Sequence, residues 1–244
     1  NVPPPDAPAL GALAYVIAAL LGAEDLFDAD GNGSGLGIYD VMADPYGVTN
    51  DLVLPPLMSA YTKMKLGWIN PTQIADRGRS VTDLRQACNF PDALIITANF
   101  AYGNYKYSHR PSQNEYLLVE NRQPCGFDAA LPEFAAGEAG GIAIYHVDEE
   151  RTGIDASIQD FPQAGGTWPE NGKHYRVALL QADGSYHMER DLNDARGNHG
   201  DGRDLFRAGG VNSIGPDGTS NGASFPNTDT YQNGIIKDSG VTIA

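Results

Sequence analysis

The chain has 244 residues, 41 % of them apolar, with 29 glycines and 16 prolines, enough for one large domain or two small ones with many turns and long loops. A formal net charge of −15 excludes nucleic acid as a partner and disfavours anionic membrane surfaces, because nothing offsets phosphate repulsion. The charge suits a secreted or cell-surface protein with bound cations, and no segment is long and apolar enough to span a bilayer.

Pro8 to Ala23 is uncharged but falls short of the ~20 apolar residues a membrane helix needs. No Lys or Arg precedes it, so it lacks the basic start of a signal peptide. The chain is therefore expected to begin inside a larger precursor. Asp6 can cap a helix whose first turn holds Pro8. Leu10, Leu13, Ile17, Leu20 and Leu21 make a helical stripe, and Ala14, Val16 and Ala18 make the other face apolar too. A helix apolar all round is expected to be central and buried. Gly22 permits a tight exit.

A loop follows from Asp28 to Asp40, then a turn around Tyr39–Met42 and irregular chain from Asp44 to Leu54. Helical spacing returns over Pro56–Lys65, with Leu57, Tyr61 and Met64 on one face, and Leu66–Ile69 leads out of it. Beyond it the period changes to two. Leu94–Phe100, Glu115–Glu120, Ile142–Val147 and Tyr175–Gln181 are predicted strands. Gly153–Lys173 is a long loop, and Asp183–Thr230 is polar chain that needs ions or side-chain hydrogen bonds to stay ordered. The expected fold class is α+β. Cys88 and Cys125, the two cysteines, form either one disulfide or two buried thiols.

The loop Asp28-Ala-Asp30-Gly-Asn32-Gly33-Ser34 places oxygen-bearing residues at alternate positions, with Gly at the sixth. This is the first half of an EF-hand-like calcium loop, in which a glycine turn lets alternate oxygens point inward together. Tyr39 stands at the twelfth position and Asp40 follows it. Asp28, Asp30, Asn32 and Asp40 are thus a calcium candidate; the alternative is a solvated loop of Asx turns. Asp183, Asp191, Asn193, Asp194, Asp201 and Asp204 form a second acidic cluster, read either as a calcium site or as a solvated acidic loop. His146 and Asp148 share a strand face with Ile142 and Ile144, which makes His146 either a core histidine or a site residue. The other histidines (His109, His174, His187, His199) show no ligand spacing, and no Gly-x-Ser-x-Gly elbow is present. Glu120-Asn121-Arg122 is expected to form a structural polar network.

Several motifs occur in one order: Gly22, Asp25-Leu26-Phe27-Asp28, Asp30-Gly31, Gly35, Gly37, Tyr39-Asp40-Val41-Met42-Ala43 and Lys63 to Pro71. They continue through Glu115 to Gln123, Gly126-Phe127-Asp128, Leu131-Pro132, Gly140 to Asp148 and Leu180 to Gly184. This series resembles the M6 (immune-inhibitor-A-like) secreted metallopeptidases over almost the whole chain. The resemblance implies a metzincin-like active-site helix and Met-turn, zinc-dependent cleavage of proteins outside the cell, and protein or peptide substrates. Residues 1–75 would hold the active-site helix, the calcium-like loop and the Met-turn at Met42. Residues 76–244 would be the β-rich continuation of the same domain, and an upstream part of the precursor would supply the rest of the cleft.

In that family the helix carries H-E-x-x-H-x-x-G-x-x-D, two histidines and an aspartate for zinc and a glutamate that activates water. Here Gly22 and Asp25 match, but Tyr15, Val16 and Ala19 stand at the His, Glu and His positions. Asp25 is the residual zinc-ligand position. The expected protein is non-catalytic, a calcium-stabilised structural or binding protein on a peptidase scaffold. The alternative is an active extracellular zinc endopeptidase, which needs other residues at 15, 16 and 19. An unrelated calcium-dependent adhesion module would require the ordered motifs to be coincidence.

Overall fold

A computed structural model describes residues 9–28, 33–46, 54–74, 78, 80–81, 83–97, 115–130, 140–149, 175–193, 195, 197–216, 226–230 and 238–244. Helix α1 spans Leu10–Leu20 and α2 spans Ala60–Lys65. The strands are β1 Thr72–Ile74, β2 Leu94–Ile96, β3 Glu115–Arg122, β4 Gly141–Asp148 and β5 Val177–Leu179. They form one sheet in the order β1-β2-β3-β4-β5, with β1 parallel to β2 and the other neighbours antiparallel. A mixed sheet with few helices makes the fold α+β.

Helix α1 ends as its sequence suggests. Gly22 takes φ +99°, Ala23 N–H donates to the Ala18 carbonyl at 2.9 Å and Gly22 N–H to that of Ala19 at 3.0 Å. These are the paired bonds of a Schellman turn. At the other end, Asp6 and Pro8 lie outside the described residues, and the N-cap position is Ala9, which offers no side-chain acceptor.

The expectation of a helix buried on all sides is corrected. Gly11 and Ala18 are buried, with Ala14 and Tyr15 packed on the core. Leu13, Val16, Ile17, Leu20 and Leu21 are between 48 and 82 % exposed. The helix docks through its smallest side chains, which let its backbone approach closely, and turns its large aliphatic ones outward. An apolar pattern on every face shows that any face can be covered, not which one is.

Helix α2 is shorter than the predicted Pro56–Lys65. Ser59 takes the N-cap, extended at φ −65° and ψ 163°, and its side chain accepts from Thr62 N–H. Strands β3 and β4 each run longer than predicted, while β2 and β5 run shorter, with residues 98–100 outside the described set. The predicted loop 153–173 also lies outside it. Strand β1 has no counterpart in the sequence reading; with three residues it is too short for a period of two to register.

Directly opposed residues share a face, so the register sorts the sheet into two sides. Ile95, Leu118, Tyr145 and Leu179 form a row on one, and Leu94, Val119 and Ile144 a row on the other. Helix α2 packs on the first face, where Lys63 Nζ meets Glu120 Oε2 at 2.9 Å. The second face is overlaid by the C-terminal segment, leaving a cavity of about 440 Å³ among Leu94, Ile96, Val119, Ile142, Val241 and Ile243.

A buried ionic network fastens the first face to the segment after α1. Arg122 is fully buried and grips Asp128 with two bonds, Nε to Oδ2 at 2.7 Å and Nη2 to Oδ1 at 2.8 Å. Its Nη1 donates to Glu120 Oε1 at 3.2 Å and to the Tyr39 carbonyl at 3.1 Å. Burial raises the Glu120 pKa, but Lys63 and Arg122 outweigh burial and hold it below the usual range. Two cations face two carboxylates here, which makes burial tolerable. Asn121, the third member of the expected network, points the other way and donates to the Leu84 carbonyl at 2.8 Å. Cys88 and Cys125 are joined by a disulfide, with Cα atoms 5.9 Å apart, which decides between the two alternatives. No helix among the described residues is long and apolar enough to cross a membrane.

Candidate functional site

The Schellman turn sends the chain back along α1, so that Asp25 returns to the level of Tyr15. Tyr15 Oη donates to Asp25 Oδ1 at 2.5 Å. Burial, then the bond to this carboxylate, pushes the Tyr15 pKa up to about 12, so the phenol stays protonated at neutral pH. Val16 and Ala19 both lie exposed on the same helix. Tyr15 and Asp25, ten residues apart, are therefore bonded to each other.

Beside this pair lies a cleft of about 450 Å³. Tyr15 and Val16 wall it from α1, Phe27 and Asp28 from the following loop, Asp44 and Tyr46 from the next turn, and His199 from the far end of the chain. His199 Nδ1 stands 3.6 Å from Asp44 Oδ2, beyond hydrogen-bond reach. Asp44, Tyr46 and His199 were not among the expected site residues. His199 lies 153 or more positions from Asp44 and Tyr46, so no local spacing marked it.

Two glycines hold the lower wall. Gly35 takes φ +58°, and a Cβ there would lie 2.1 Å from the Leu26 carbonyl oxygen; Gly37 takes φ +46°, and a Cβ there would lie 2.0 Å from that of His199. These close approaches carry hydrogen bonds from Leu36 N–H to Leu26 at 3.0 Å and from Ile38 N–H to His199 at 2.8 Å. Ser34 adds N–H to the Met188 carbonyl at 2.7 Å and Oγ to that of Asn198 at 2.8 Å. The segment 187–201 is thus a strap over the loop.

Met42 is fully buried, and its carbonyl accepts from Leu26 N–H at 3.1 Å. Asp40 is fully buried as well. Its Oδ1 accepts from Met42 N–H at 2.8 Å, and its Oδ2 from Ser59 N–H, Ser59 Oγ and Thr62 Oγ1 at 2.8, 2.5 and 2.6 Å. Burial raises its pKa and these donors draw it back. Asp40 ties the turn at Met42 to the start of α2, and its oxygens are committed there rather than to a calcium loop.

Asp28 is buried at the cleft floor. A Cβ placed on Gly33 would lie 2.9 Å from Asp28 Oδ2, 2.8 Å from the Met188 carbonyl oxygen and 3.0 Å from Tyr175 Oη, so three oxygens converge on this glycine. Asp30 and Asn32 lie outside the described residues.

Of the second cluster, Asp201 and Asp204 come together around the short turn Gly202–Asp204. Arg203 N–H donates to Asp201 Oδ1 at 2.8 Å and Asp201 N–H to Asp204 Oδ2 at 2.6 Å. Burial, then the neighbouring Asp201, Asp183 and Glu189 carboxylates, drive the Asp204 pKa well above its usual value. Glu189, missed in the sequence, belongs to this group; Gln181 Nε2 donates to its Oε2 at 2.5 Å, and burial pushes its pKa up to about 7. Asp191 stands apart in its own turn, accepting from Asn193 N–H at 2.8 Å, and Asp194 is outside the described residues. Among the described residues no three His, Cys, Asp or Glu side chains are placed to hold a metal ion.

His146 is fully buried on the second face of the sheet, with Nε2 2.7 Å from Glu115 Oε1. Burial lowers its pKa to about 4, so at neutral pH it is an uncharged ring paired with the Glu115 carboxyl group. It lies across the sheet from Arg122 and Tyr145, among core side chains.

Comparison with protein-family models, with curated proteins and with solved structures finds no match to this chain.

The donor set does not fit zinc. Tyr15 is a protonated phenol, Ala19 has no donor atom and Val16 cannot take a proton from water. A cleft with apolar walls and carboxylates at its edge is of the kind that holds a ligand.

Proposed function

We propose that the chain is part of a secreted, M6-like metallopeptidase domain that has lost its zinc chemistry and serves as a non-catalytic, calcium-stabilised binding or structural protein. The observation that carries this reading is the Tyr15–Asp25 hydrogen bond. It stands where the family motif would place a histidine and an aspartate on one metal. The metzincin-like helix, Met-turn and one-domain organisation over 1–75 and 76–244 belong to this proposal. The disulfide supports export, since such bonds persist in oxidising compartments. The cleft is the place for an extended polypeptide segment, held by the walls at Val16, Phe27 and Tyr46. Calcium in the 28–32 loop is supported by the alternate oxygen residues and by the convergence of oxygens at Gly33.

The zinc prediction is tested by elemental analysis and by cleavage of an unfolded protein. The natural chain is expected to carry no stoichiometric zinc and to cleave nothing. The variant Tyr15→His/Val16→Glu/Ala19→His is expected to bind about one zinc per chain, because Asp25 already lies beside position 15. Stoichiometric zinc with chelator-sensitive cleavage in the natural chain would overturn the proposal. A folded triple variant without zinc would remove the metzincin reading of α1.

A further inference from the structure

We infer that the outward face of α1 is a self-association surface, and that the chain pairs with a second copy of itself through it. The helix carries six large exposed aliphatic side chains, Leu10, Leu13, Val16, Ile17, Leu20 and Leu21. At 100° per residue they fill an unbroken arc of about 140°. No charged residue lies between Pro8 and Ala23, so no lysine stem or carboxylate interrupts the face. Leu20 is 82 % exposed although it belongs to a regular helical turn.

Area selects the occupant. The six side chains expose on the order of 550 Å² of apolar surface, at the upper end of what a monomer shows in one patch. Two copies meeting face to face bury at most about 1,100 Å², which reaches the ~1,000 Å² of a specific interface only when the whole face is covered. A twofold pairing uses the same patch on both chains and closes after two. The net charge of −15 opposes the approach of two chains, but none of it lies on this face. Beyond the ~8 Å screening length of physiological salt that repulsion fades. The pair is therefore weak, apolar and salt-strengthened.

This inference does not rest on the proposed function, since zinc content and proteolysis have no bearing on it. The test is sedimentation equilibrium of the full chain up to about 0.5 mM, at low salt and at about 0.5 M sodium chloride. A monomer–dimer equilibrium is expected, with the dimer fraction rising with salt. Leu20→Glu and Leu13→Glu, each checked for a native circular-dichroism spectrum, are expected to weaken association at least tenfold. Leu192→Glu, at an exposed leucine outside α1, is expected to leave it unchanged. A chain that stays monomeric at both salts, a dimer weakened by salt, or one that survives both α1 substitutions would overturn the inference.

Discussion

Glu189 shows how a single carboxylate sets the acid–base behaviour of the strap. Its pKa rises from an ordinary 4.5 to about 7 because burial disfavours the charged form more than the Gln181 amide favours it. The folded chain thus holds this proton more tightly than the unfolded chain. Its contribution to stability is complete below pH 4.5 and is lost as pH rises through 7. His146 acts with the opposite sign: its pKa falls from 6.5 to about 4, so its contribution is complete above 6.5 and is lost as pH falls through 4. The two oppose each other over most of the range, and the whole-protein profile hides both. The difference between the natural chain and Glu189→Gln isolates the first. That stability difference, from urea unfolding, is expected to shift against the natural chain by about 3 kcal/mol between pH 4.5 and 7. A difference independent of pH would show that Glu189 titrates normally.

At the scale of elements, the loop after α1 is held by close backbone approaches that only glycine allows. Gly22 and Gly37 both have positive φ, but their surroundings differ. A Cβ at Gly22 meets nothing within 4 Å, so Gly22→Ala carries only left-handed strain, about 1–2 kcal/mol. At Gly37 the added carbon collides with His199 backbone, so the same change must also break the Ile38–His199 bond and lift the strap. Gly37→Ala is expected to cost at least ~2 kcal/mol more than Gly22→Ala in a denaturant melt. Equal costs would mean that the strap does not press on the loop.

The same elements show what the sequence displayed. The Schellman exit at Gly22, the turn at Met42 and strands β3 and β4 were legible, because each rests on local chemistry or on an alternation at least six residues long. The orientation of α1 was not, since Leu, Val and Ala on all sides leave the choice of face to tertiary packing. Asp40 looked like a calcium ligand by its place after the acidic loop. Its actual partners, Ser59 and Thr62, are 19 and 22 residues away and left no mark in the spacing. The cleft was not legible, because His199 reaches it from the far half of the chain.

For the molecule as a whole, the net charge of −15 is the ground on which calcium is proposed. Calcium bound by the folded chain alone adds RT ln(1 + [L]/Kd), on the order of 2–4 kcal/mol at 100 to 1,000 times Kd. Chelation with excess EDTA is accordingly expected to lower the unfolding temperature, and returning calcium to restore it. An unchanged melting curve would count against calcium at both acidic loops. The disulfide and the Arg122 network are independent of this ion, so chelation is expected to loosen the chain without unfolding it at room temperature.

The seat of Tyr15, Val16 and Ala19 on α1 has a consequence for how freely this helix accepts substitution. Val16 and Ala19 face outward, while Tyr15 packs against the core beside its bond to Asp25. The helix is fastened by Gly11, Ala14, Tyr15 and Ala18. Substitution at Val16 or Ala19 is therefore expected to cost folding little, whereas Tyr15 carries part of the packing. Positions 16 and 19 of this helix are thus separable from the contacts that dock it, so its surface chemistry can change without changing how it packs.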